Sequence, residues 1–176
     1  MITNLQCLVN EVDRLLLVIT NSQCLVNEVD KLLLMNEEEA KGLIGDTTVT
    51  AYRRVHEVIA SVLDRVVMLK ALRSDDKVTF QKILQELLIE LSRALVLVKY
   101  QQARKQLFHC LAMKLASLVR ATSRILRKSL DELNKNAQNY DDIVENVVNT
   151  LIRARTLLDA LTTLVYMYGK KHGKRE

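Results

Sequence analysis

Between Lys77 and Leu133 the chain contains neither glycine nor proline; proline is absent from all 176 residues and glycine occurs only four times. With so few residues that interrupt i to i−4 bonding, the backbone is suited to helices. Apolar residues make up 49%, enough for a core in a single domain of ordinary size. Aromatics are only 4%, and β-branched residues are scattered through leucine-rich segments without strict alternation, which argues against a sheet. The expected fold class is all-α, a single-domain helical bundle of about five to six helices with a duplicated N-terminal amphipathic helix. Its expected parts are an N-terminal extension over 1–45, a core bundle over 46–168 and a basic tail over 169–176.

The extension carries a 17-residue unit twice. Ile2 to Val18 and Ile19 to Met35 differ only at Leu5/Ser22, Arg14/Lys31 and Val18/Met35. Leu5, Leu8, Val9, Val12, Leu15 and Leu16 recur at helical spacing, so each copy has one apolar face. On a straight helix, a shift of 17 residues at about 100° each turns the second face by about 100° from the first. One flat core cannot bury both, which predicts a turn at Thr20-Asn21-Ser22, residue types that also cap a new helix. The two copies then act either as equivalent docking helices or as a plain lengthening of the N-terminus.

Further along, Asn36 followed by Glu37, Glu38 and Glu39 has the form of a helix start, with Gly42 and Gly45 ending that helix and a loop following at Asp46-Thr47-Thr48. Apolar spacing predicts one helix from about Thr50 to Arg73, stopped near Ser74-Asp75-Asp76. The polar stretch Gln101 to Gln106 predicts a break between two helices, and Asn134 to Asn139 a loop. A last helix runs from near Tyr140-Asp141-Asp142 to Tyr168 and closes at Gly169, before the basic tail Lys170 to Arg175.

Net charge is +5, but it is unevenly spread. Residues 1–46 sum to −5, whereas residues 91–130 hold nine basic side chains and no acid: Arg93, Lys99, Arg104, Lys105, Lys114, Arg120, Arg124, Arg127 and Lys128. On a helical wheel for 107–133, Leu107, Leu111, Leu115, Leu118, Ile125, Leu126 and Leu133 share one face. Arg120, Arg124 and Arg127 lie opposite, with Lys128 beside them. Like charges at i and i+4 repel, and no nearby carboxylate on this helix is expected to relieve them. Such a stripe suits a polyanion, because guanidinium groups bind phosphate bidentately and release condensed counterions. Acidic residues of another helix, or of the −5 N-terminal region, are the other partner it fits.

Catalysis and metal binding find little footing. Cys7, Cys24 and Cys110 have no CxxC spacing, and His109-Cys110 are sequence neighbours that point about 100° apart on a helix. Glu86 and Glu90 read as an exposed i,i+4 pair, and no HExxH, glycine-rich phosphate loop or paired ExxH motif is present. Tyr100, Tyr166 and Tyr168 read as packing residues with wet hydroxyls, since aromatics do not interleave with the basic stripe. No apolar run approaches the roughly 20 uncharged residues that span a bilayer, and Met1 to Gln6 lacks the basic region of a secretory signal, so a cytoplasmic protein is expected. The helix bearing the stripe has no Trp on its apolar side, so a membrane surface is not an expected partner.

Two stretches resemble the small α-helical subunit of type III CRISPR RNA-guided effector complexes. One is Leu95-Val96-Leu97-Val98-Lys99-Tyr100-Gln101-Gln102-Ala103-Arg104-Lys105. The other, Leu158-Asp159-Ala160-Leu161-Thr162-Thr163-Leu164-Val165-Tyr166-Met167-Tyr168-Gly169-Lys170-Lys171, is similar to that family's C-terminal helix. The likeness covers roughly residues 50–176. It departs at Ala103-Arg104, where the family often has Gly before Arg, so the glycine of a sharp local turn is missing. The resemblance implies a non-catalytic subunit of an antiviral ribonucleoprotein that packs side by side along the complex and contacts guide or target RNA. By position, Arg104 and Lys105 carry that role, and charge adds Lys99, Arg120, Arg124, Arg127 and Lys128.

The expected protein is thus an RNA-binding scaffold without cofactor or metal. Its expected partners are single-stranded RNA, contacted through the backbone, and other subunits, with self-association possible. The rival class is a protein-interaction bundle, an adaptor or self-assembling protein that binds no nucleic acid.

Overall fold

The computed structural model describes residues 3–71, 76–135 and 139–170, with side chains described from residue 11 onward. Several expectations lie outside the described residues: the helix stop at Ser74-Asp75, the middle of the loop at Asn136-Ala137-Gln138, the tail from Lys171 to Arg175, and the side chain of Cys7. Within the described residues the chain is all-helical, in eight segments rather than five to six. They are α1 (Thr3–Thr20), α2 (Ser22–Leu33), α3 (Glu37–Ile44), α4 (Val49–Leu63), α5 (Val66–Lys70), α6 (Lys77–Ala103), α7 (His109–Lys135) and α8 (Tyr140–Tyr168).

Local chemistry sets several of these boundaries. The Thr20 hydroxyl donates to the Leu16 carbonyl at 2.7 Å as α1 ends, and Asn21, in extended backbone, accepts from the amides of Gln23 and Cys24 at 2.9 and 3.1 Å. That cap lets the second copy of the repeat begin a new helix. Asn36 and Glu39 form a reciprocal capping box at the start of α3. Gly42 lies inside α3 and does not end it; Gly45, at φ 49°, does. The single helix expected over 50–73 is interrupted at Asp64-Arg65, where Arg65 reaches across to Glu86 at 3.2 Å and Glu90 at 2.6 Å on α6. Those two carboxylates are therefore joint acceptors for Arg65 and not a free exposed pair.

One continuous hydrophobic cluster draws on every helix. All seven apolar positions that the wheel over 107–133 places on one face are buried, Leu107 just before α7 and the other six on it, with Leu111 and Leu118 at 0% and 1% exposure. α7 packs against α6, α1, α8 and α3, and α8 packs against six of the other helices, so these two form the middle of the bundle. The region expected as an extension supplies Val12, Leu15, Val18, Ile19, Leu32, Ala40 and Ile44 to the same cluster and is integral to the core. Burial of a Leu- or Ile-sized side chain contributes about 1.5 to 3 kcal/mol.

The α3–α4 linker acts as a clasp. Thr47 Oγ1 accepts from the Phe108 amide at 2.9 Å, and the Thr48 amide donates to the Gln106 carbonyl at 3.1 Å. On its other side, Lys170 donates its amide to Thr47 O at 2.9 Å and its carbonyl accepts from the Val49 amide at 3.1 Å. The turn between α6 and α7 and the end of α8 are thus tied to one short segment, and Lys170 pairs with Asp46 at 2.6 Å.

Candidate nucleic-acid interface

The α6–α7 turn is sharp although it has no glycine. The amide of Gln106 donates to Gln101 O at 3.1 Å and that of Lys105 to Gln102 O at 2.9 Å, the paired closing bonds of a Schellman motif. The left-handed position these bonds require is filled by Lys105, at φ 56°. L side chains enter that region at a cost of about 1 to 2 kcal/mol, and glycine is its usual occupant. With Ala103 where that glycine would stand, the left-handed residue of the turn is Lys105, two positions on, with a cation at the apex.

Exposed side chains meet around this apex. The Arg104 guanidinium lies over the Tyr100 ring, 5.5 Å from its centroid, and donates to the Tyr100 hydroxyl at 3.3 Å. That distance is within reach of a cation–π attraction. Gln102 links the two helices: it accepts from Lys99 Nζ at 3.3 Å and donates to His109 Nδ1 at 2.8 Å. Phe108 completes the turn with its ring against Gly45. Tyr100 is 53% exposed and Tyr166 48%, so neither is the packing residue expected, whereas Tyr168 is partly buried against the core. Aromatics and cations do interleave here, contrary to the sequence reading. The signal lay in the i,i+4 spacing of Tyr100 and Arg104.

The second basic group runs along the outer side of α7, where Arg124, Arg127 and Lys128 are exposed and Arg120 is half-buried. Arg120 is eleven residues from the start of α7, about 16 Å of helix, so the stripe is separate from the corner. Part of it meets acid within the protein. Arg124 pairs with Asp13 of α1 at 2.7 Å, and Lys128 approaches Glu132 at 3.7 Å, the same-helix carboxylate that the wheel reading overlooked. Both pairs are well exposed, where such contacts contribute little.

Lys114 is largely withdrawn from the surface. With 11% of its side chain exposed, it binds Glu28 at 2.7 Å and approaches Glu11 at 3.6 Å, while Arg14 binds both acids. Glu11 and Glu28 are the same position in the two copies of the repeat, so both copies direct a carboxylate at one pair of cations. Lys31, the counterpart of Arg14, lines the same cavity of about 510 Å³ with Leu43, Cys110 and Met113. Burial pushes the Glu28 carboxyl up, but hydrogen bonds from Arg14 and Lys114 outweigh it and hold the group at about 2. Glu11 is lowered against the same burial by Arg14 and Lys114.

Among the described residues, Arg93, Lys99, Arg104, Lys105, Arg120 and Arg127 make no ion pair. No group of three or more His, Cys, Asp or Glu is placed there to hold a metal, and no described helix is long and apolar enough to cross a membrane. No family model matches this chain, and no match was found among curated proteins or solved structures.

Proposed function

We propose that this chain is a non-catalytic scaffold subunit of a ribonucleoprotein that binds single-stranded RNA through its backbone, in the manner of the type III CRISPR small subunit. The observation that carries the reading is the set of six cations in residues 91–130 that have no ion pair among the described residues, two of them on α7, against which the acidic N-terminal region packs. That region takes up Lys114 and Arg124 and leaves Arg120 and Arg127 on α7, and Lys99, Arg104 and Lys105 at the corner, for an external anion. Phosphate fits such groups by charge and geometry.

The test replaces Arg120 and Arg127, the two stripe cations without an internal carboxylate, together by Gln and measures single-stranded RNA affinity at several salt concentrations. Each lost phosphate contact lowers the slope of log K against log salt by about 0.7, so the slope should fall by about 1.4. An unchanged slope would remove the stripe from the site. A second reading, the protein-interaction bundle, is favoured by the outer side of α6, where Val78, Ile89 and Val96 are exposed, and by Leu34 at the end of α2, exposed to 82%. Salt-insensitive self-association without RNA binding would select it.

A further inference from the structure

This inference rests on the RNA reading and names the group that the corner recognises. We propose that the α6–α7 corner is a base-stacking site, in which one unpaired base of single-stranded RNA lies on Tyr100 while Arg104 and Lys105 hold the flanking phosphates. Four observations converge on it. Tyr100 sits in the last turn of α6 with about half its surface in water, so the ring is not spent on the core. Arg104 lies over the ring and binds its hydroxyl, which fixes the ring orientation before any ligand arrives. An aromatic already held in place loses little further freedom on binding.

Next, Arg104 lies over that ring, and Lys99 and Lys105 belong to the same corner, all three without a carboxylate partner among the described residues. A positively charged surface with an aromatic platform is the combination by which single strands are held, the charge following the backbone and the ring taking a base of any identity. Finally, Lys105 keeps a cation at a left-handed position that glycine fills with less strain. Strain retained at an exposed charged residue is what a binding role for that side chain would maintain. Stacking on one ring accepts every base, so the site contributes affinity and little sequence preference.

The experiment uses the full chain and two strands, a labelled 12-residue oligouridine and the same sugar-phosphate backbone without bases. The parent should bind the intact strand about tenfold more tightly than the abasic one. Tyr100→Ala should remove that difference and leave the salt slope unchanged, because stacking releases no counterions. Tyr100→Phe should keep the difference. Tyr100→Trp gives the chain its only tryptophan; the indole emission of this variant should be quenched by the intact strand and not by the abasic one. Equal binding of both strands by the parent, or an indole emission in Tyr100→Trp that neither strand alters while binding proceeds, overturns the stacking site and leaves the backbone-binding proposal standing. Failure of the parent to bind either strand overturns both.

Discussion

A carboxylate almost withdrawn from water, as Glu28 is at 6% exposure, survives as an anion only if its partners restore what hydration gave it. Arg14 and Lys114 do so, and the acid limb of stability follows from them. The folded carboxyl is held at about 2 against an ordinary 4.5. Because folding lowers it, its contribution is present in full above pH 4.5 and is lost as the pH falls toward 2. Urea unfolding should therefore show stability declining through that window. Glu28→Gln should cost about 2 to 3 kcal/mol at pH 7 and give a shallower acid limb; an identical limb in both proteins would exclude Glu28 as its source. None of this was legible locally. Lys114 appears in sequence as one more cation in an acid-free stretch, and its partner Glu28 is 86 residues away. Only the −5 sum of the first 46 residues pointed toward such a pairing.

Among the elements, α7 was the most readable, because a helix with leucines on one side and arginines on the other has a single phase that buries the former. Leu111→Ala and Leu118→Ala should each destabilise the fold by about 2 to 5 kcal/mol in denaturant titrations, since both lie at the centre of the cluster. Near-neutral values at both would contradict the burial described. α6 was less readable. It buries Phe80, Leu84, Leu87 and Leu91, yet also exposes Val78, Ile89 and Val96, so apolar pattern alone does not tell its inner side from its outer one. The interruption between α4 and α5 carries no glycine, and it coincides with a long-range contact from Arg65 to α6 that no window of sequence contains. The corner after α6 was located by its polar residues, but its left-handed lysine was not, since local signals favour glycine there.

For the molecule as a whole, the clasp between α3 and α4 links distant segments through single atoms. A Cβ at Gly45 would lie 2.3 Å from two ring atoms of Phe108, and the backbone there is left-handed. Gly45→Ala should therefore cost more than about 1 kcal/mol by thermal unfolding. By displacing Phe108 it should also weaken the RNA binding proposed for the corner, which Gly45 does not itself enter. Full stability with unchanged affinity would show that the clasp does not position the corner. The repeat has a similar reach through its length alone. A unit of 18 residues would turn through about five whole circles, and its copy would continue the first helix in phase as a rod. The unit is one residue shorter, so the bundle reads the duplication as an angle. The chain stops at Asn21, turns back, and Glu28 returns to the neighbourhood of Arg14, 14 residues earlier. One missing residue per copy converts what would have been added length into added core.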